Sequence, residues 1–123
     1  MVHSFVRGIR GATTVRENNA EQILNAAIEL LQQIIEKNSI EKKDIAAVFF
    51  SVTEDLNAAY PAKAARILGW NKVPLFGSAE ITVPGGLPFC IRVLMLINTD
   101  LNQEEIRHVY LNEAKILRED LMS

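Results

Sequence analysis

The 123-residue sequence predicts an α+β fold of α/β-like character, a mixed β-sheet with helices on one face. Three observations carry this expectation. Residues 19–38 repeat apolar side chains at helical spacing, whereas Ile45–Val52 and residues 91–99 are short apolar runs of strand length. Strand-like and helix-like stretches alternate along the chain, which favours one mixed sheet over separate α and β layers. Hydrophobic residues at 49% and charged residues at 23% suit a packed core, and the length fits one domain spanning residues 1–123.

Residues 2–13 alternate Phe5, Arg7 and Ile9 with Val6, Gly8, Arg10 and Ala12, the two-residue period of a strand. Asn19, with Gln22 three residues on, has the pattern of a helix N-cap. Ile23, Ala26, Ala27, Leu30, Leu31, Ile34 and Ile35 then form the apolar stripe of a helix whose other side is polar. Residues 39–44 read as a turn, and Ile45–Val52 as a buried strand. Pro61 suits the first turn of a second helix reaching about Leu68. Residues 73–76 are a short strand candidate, and Gly77 with Pro84, Gly85 and Gly86 marks a loop expected to move around Gly85. Residues 91–99 are apolar on both sides, as in a central strand. Residues 102–107 make a helical turn, and residues 109–117 two short extended pieces around Asn112 and Glu113. Two helices cover only one sheet face, so the second apolar face is expected to be buried by self-association.

Composition excludes several function classes. Thirteen Lys and Arg against fifteen Asp and Glu leave a net charge of -2, without the positive field that nonspecific nucleic-acid binding uses. The apolar runs are far below the roughly 20 residues of a membrane-spanning helix, and the N-terminus lacks the continuous apolar segment of a secretory signal. A cytoplasmic protein with no nucleic-acid or membrane partner is expected. Cys90 is the one cysteine, and His3 and His108 lie far from it in sequence, so no disulfide or structural metal site is expected. Neither a Gly-x-Ser-x-Gly elbow nor a phosphate loop is present, and Gly8-Ile9-Arg10-Gly11 lacks the third glycine of a dinucleotide fingerprint. No cofactor is expected.

The remaining chemistry is cationic. Arg92 sits inside an apolar run, where a guanidinium needs an anionic partner. Spacing leaves two readings open: an internal ion pair with Glu80 or Asp100, or an anion site. Arg10 shares a strand face with the small residues Gly8 and Ala12 and could join Arg92 in gripping carboxylates. Lys63 and Arg66 project from one helix face, which is either a solvated surface or part of a site. Glu80 is ambiguous in the same way, and Tyr110 reads equally as a core tyrosine.

Four ordered blocks carry a resemblance: Arg7-Gly8-Ile9-Arg10-Gly11-Ala12-Thr13-Thr14, Tyr60-Pro61-Ala62-Lys63-Ala64-Ala65-Arg66, Gly85-Gly86-Leu87 leading to Cys90-Ile91-Arg92-Val93, and Ile106-Arg107-His108-Val109-Tyr110-Leu111. Together they resemble the monofunctional chorismate mutases of the small trimeric type, from about Arg7 to Leu121. The resemblance implies a trimeric pseudo-α/β-barrel assembly with active sites between subunits and a place in aromatic amino-acid biosynthesis. It implies that Arg10, Glu80, Arg92 and Tyr110 come from one subunit and Tyr60, Ala62, Lys63, Arg66 and Leu117 from its neighbour. Two positions depart from the family: Gly77 replaces a cysteine that lies near the substrate hydroxyl, and Tyr60 stands where phenylalanine is usual. The chain stops soon after Arg118, so a tail able to close over the cleft is expected to be short.

In the implied reaction, chorismate, a dicarboxylate, becomes prephenate by a [3,3] rearrangement without a covalent intermediate. Arg92 is expected beside the ether oxygen, Arg10 at the enolpyruvyl carboxylate and Glu80 at the ring hydroxyl, with Tyr110 fixing the side chain. Lys63 and Arg66 are expected to attract the dianion at the entrance. Two other readings stay open, a noncatalytic trimer that binds small carboxylates and a small trimeric imine or enamine hydrolase.

Overall fold

Alternation in the first segment is realised as β1 (Phe5–Thr14), in which Ile9 is fully buried while Arg10 remains exposed. The computed structural model describes residues 5–117, so the expected strand residues 2–4 and the tail after Arg118 lie outside the described residues. Along its full length β1 pairs antiparallel with β4 (Cys90–Thr99), from Phe5 opposite Thr99 to Thr14 opposite Cys90. On its other side β4 pairs antiparallel with β2 (Ile45–Val52), which pairs in parallel with β3 (Leu75–Ala79). The two-residue β5 (Val109–Tyr110) lies parallel to β1, giving the mixed order β3, β2, β4, β1, β5. The expected mixed sheet with a central β4 is borne out.

Helix α1 (Ala20–Asn38) begins where Asn19 Oδ1 accepts the Gln22 N–H at 3.0 Å. The Gln22 side chain reaches back past the cap residue, accepting from the Glu17 N–H where a capping box would accept from that of Asn19. The helix ends at Ser39, in the left-handed region at φ 50. Its buried stripe of Ile23, Ala27, Leu30, Leu31 and Ile34 covers one sheet face, most of it in a core with Ile9, Val48, Phe50, Val93, Met95 and Ile97. Gly11 permits this approach: a Cβ there would stand 2.8 Å from Ile34 Cδ1 and 3.1 Å from Leu30 Cδ1. Helix α2 (Lys63–Ile67) buries Ala64 and Ala65 in the same core, so both helices lie on one side, as expected.

Three assignments differ from the sequence reading. The second helix starts at Lys63, and Pro61 belongs to the turn before it, where its carbonyl accepts the Ala64 N–H at 3.0 Å. The third strand starts later and runs through Gly77, because it is an edge strand held by its backbone ladder to β2. As expected, the second apolar face is left uncovered by the helices: within the chain Phe49 of β2 and Leu94 of β4 are each 40% exposed, and Phe76 of β3 is 62% exposed. The second extended piece of residues 109–117 is instead helical, a 3₁₀ turn at Asn112–Ala114 continuing into residues 115–117. Asn112, at φ 53, turns the chain and donates from Nδ2 to Thr13 Oγ1 at 3.1 Å.

Candidate active site

The pleat of β4 decides which way its arginine faces. Ile91 and Val93 point into the core, so Arg92 stands on the face opposite the helices. The register continues this row across the sheet, with Ser51 of β2 and Ala12 of β1 flanking Arg92 and Tyr110 of β5 opposite Ala12. Arg10, two residues along β1 and opposite Leu94, shares that face. The structure therefore gathers Arg10, Arg92 and Tyr110 on one surface, with the small Ala12 between the last two.

Glu80 joins them from the end of β3. Its N–H donates to the Val52 carbonyl at 2.8 Å, which extends the β3–β2 ladder by one residue. There Glu80 Oε2 accepts from Ser51 Oγ at 3.2 Å, and Oε1 lies 3.8 Å from Arg92 Nε. Of the two ion pairs that spacing allows for Arg92, the one with Glu80 forms. Both side chains remain partly exposed, so the pair is solvent-screened and free to exchange partners. They line a cleft of about 410 Å³ with Thr53, Asp55, Thr82 and Leu87. Ser51 escapes the sequence reading, although the alternation of β2 places it opposite Arg92.

Cys90 neighbours Arg92 on this face but is buried. Burial pushes its thiol above the ordinary value, against the pull of Arg92, so the thiol stays protonated and is a poor nucleophile. His108 supports Arg10 from behind: the Arg10 N–H donates to His108 Nδ1 at 2.9 Å. Burial, then the Arg10 charge, lowers the His108 pKa, which favours the neutral ring this hydrogen bond requires.

Most of the other expected site residues belong to a second cleft. Tyr60, Ala62, Arg66 and Gly77 line this cleft, of about 620 Å³, which shares no lining residue with the first. Tyr60 is 82% exposed, and Lys63 and Arg66 are exposed on α2. A Cβ at Gly77 would meet nothing within 4 Å, so the position is open space. Leu117, grouped by the resemblance with Tyr60 and Lys63, packs within this chain against Ala12, Cys90 and Ala114, as Tyr110 does. Among the described residues no group of three or more His, Cys, Asp or Glu could hold a metal ion, and no helix is long and apolar enough to cross a membrane.

Residues 6–121 match the family model for chorismate mutase type I. The chain belongs to that family. It is 55% identical over 120 residues to chorismate mutase AroH of Thermus thermophilus, covering 97% of this chain and 98% of the relative. Over 118 residues it is 49% identical to chorismate mutase AroH of Bacillus subtilis, covering 95% and 93%. The fold superposes on that of a chorismate mutase from Clostridium thermocellum with a TM-score of 0.88 and 50% identity, covering 89% of this chain and 98% of that one. Membership in the type I chorismate mutases bears out the resemblance and the fold class. It decides for the isomerase over the carboxylate receptor and the imine or enamine hydrolase.

Proposed function

We propose that this chain converts chorismate to prephenate in a composite site of a homotrimer, one wall made by Arg10, Glu80, Arg92 and Tyr110 with Leu117 packed beside Tyr110, and the other by Tyr60, Ala62, Lys63 and Arg66 of an adjoining subunit. The observation that carries the reading is the Glu80–Arg92 pair at 3.8 Å on the open sheet face, since it sets a negative and a positive group side by side at the same cleft. The rearrangement separates charge in the same sense. As the C–O bond breaks, the ether oxygen gains negative charge and the ring fragment loses it. Arg92 donates to that oxygen more strongly in the transition state than in the ground state, which accelerates the step.

Glu80, held by Ser51, accepts from the ring hydroxyl beside the electron-poor carbons. Arg10 grips the enolpyruvyl carboxylate, and Tyr110 fixes the side chain in the bent conformer, removing part of the entropic barrier. Lys63 and Arg66 draw in the dianion and meet the ring carboxylate. Gly77 leaves space beside the substrate hydroxyl in place of a weak donor. No proton transfer, metal or cofactor is needed for this chemistry, and a site in the cytoplasm suits it.

Following the ultraviolet absorbance of chorismate with the wild-type chain and Arg92→Lys tests the reading. The wild type should consume chorismate. The lysine, with the charge kept but the planar fork lost, should lower turnover by a large part of the roughly 100- to 1,000-fold that one transition-state donor is worth. A rise in KM alone, with turnover near wild type, would restrict Arg92 to carboxylate binding.

A further inference from the structure

The segment that delivers Arg92 into the sheet is strained and tightly held. Phe89, three residues before Arg92, has φ 50, a left-handed conformation that side chains other than glycine's adopt at a cost. Each backbone polar group of Phe89 and Cys90 has a partner there. The Phe89 N–H donates to both carboxylate oxygens of Asp55, at 3.2 and 3.0 Å, and its carbonyl accepts from the Val15 N–H at 3.0 Å. The Cys90 N–H donates to Thr53 Oγ1 at 3.0 Å, and its carbonyl accepts from the Thr53 N–H at 3.1 Å. Thr53 Oγ1 itself donates to Asp55 Oδ1, which joins the two sets.

We infer that Asp55 is a positioning residue for Arg92: its carboxylate holds the Phe89 turn in its strained form and so sets where β4 begins and where the guanidinium stands relative to Glu80. The inference rests on the role proposed above for Arg92. Asp55 and Arg92 both line the cleft, and Thr53 follows β2 directly. The same carboxylate therefore ties the end of the strand that carries Ser51 to the start of the strand that carries Arg92. Without it the Phe89 N–H loses its acceptor, and Thr53 Oγ1, which accepts from the Cys90 N–H, loses its anchor. The turn can then relax out of the left-handed region.

Steady-state kinetics and amide hydrogen exchange on Asp55→Ala and Asp55→Asn test this. A misplacement of about 1 Å at a reacting centre can cost about 100-fold, so Asp55→Ala should lower kcat by about 10- to 100-fold with a smaller change in KM. Asparagine keeps one acceptor oxygen for the Phe89 N–H and should recover most of the loss. Exchange at Phe89 and Cys90 should accelerate in the alanine variant. Leu30→Ala, which weakens the core on the far side of the sheet, is the control for mere instability and should keep kcat near wild type. Should Asp55→Ala not fold, Thr53→Val removes the hydroxyl that joins Asp55 to Cys90 and carries the same expected sign. A kcat within twofold of wild type in the folded variant, or equal losses in the alanine and asparagine variants, would overturn the inference. If the wild-type chain leaves chorismate untouched, the functional reading fails instead, and hydrogen exchange still decides whether Asp55 holds the segment.

Discussion

Arg92 shows how much a single residue reveals by its sequence context alone. A guanidinium in an apolar run demands an anion, and that demand is legible in the sequence; the choice of Glu80 depends on β3 ending beside β2, which is a matter of tertiary pairing. Ser51 carries no such signal, because a serine in a strand is ordinary until its register opposite Arg92 is known. His108 is likewise silent in sequence, yet its Nδ1 accepts the N–H of Arg10. Only the neutral ring has that lone pair, and in the folded chain its pKa lies below the ordinary 6.5. The stability this contributes is complete above the unfolded value, and it is lost as pH falls through the lower folded one. Denaturant midpoints should therefore decline as the solution is acidified below about pH 6.5, and His108→Asn, which offers Oδ1 in place of Nδ1, should flatten that decline. An unchanged slope in the variant would assign the acid sensitivity to other groups.

Elements with their own periodicity are legible almost to the residue. Helix α1 follows from its apolar stripe and the Asn19 cap, and β2 from its β-branched and aromatic run. Elements defined by a neighbour are not. The edge strand β3 shows no alternation of buried and exposed residues, since its placement comes from backbone bonds to β2, and the helical turn at Asn112–Ala114 depends on Asn112 reaching Thr13. The α1 stripe has an energetic consequence of its own. Leu30 is fully buried between the helix and the sheet, beside Gly11. Truncating it in Leu30→Ala should cost about 2–5 kcal/mol of unfolding free energy by lost transfer energy and a residual cavity, read from urea denaturation. A loss below about 1 kcal/mol would show that the site collapses to fill the gap.

At the scale of the whole molecule, two features of the single chain are incomplete in the same way. The open sheet face leaves Phe49, Phe76 and Leu94 in solvent, and the expected site residues fall into two clefts lined by different residues. The proposed homotrimer would resolve both, by covering the apolar face and by bringing the Tyr60 cleft of one copy against the Arg92 cleft of the next. Subunit mixing tests the shared site most directly. Arg92→Ala alone and a Lys63→Ala, Arg66→Ala double variant should each be nearly inactive. Unfolded together in equal amounts and refolded, they reassemble at random, and over the whole trimer population about one site in four combines an intact Arg92 wall with an intact Lys63 and Arg66 wall. Recovery of chorismate turnover to about a quarter of the wild-type rate is the expected result. A mixed preparation with wild-type oligomeric mass but no more activity than its parents would place every site within a single chain and contradict the composite arrangement.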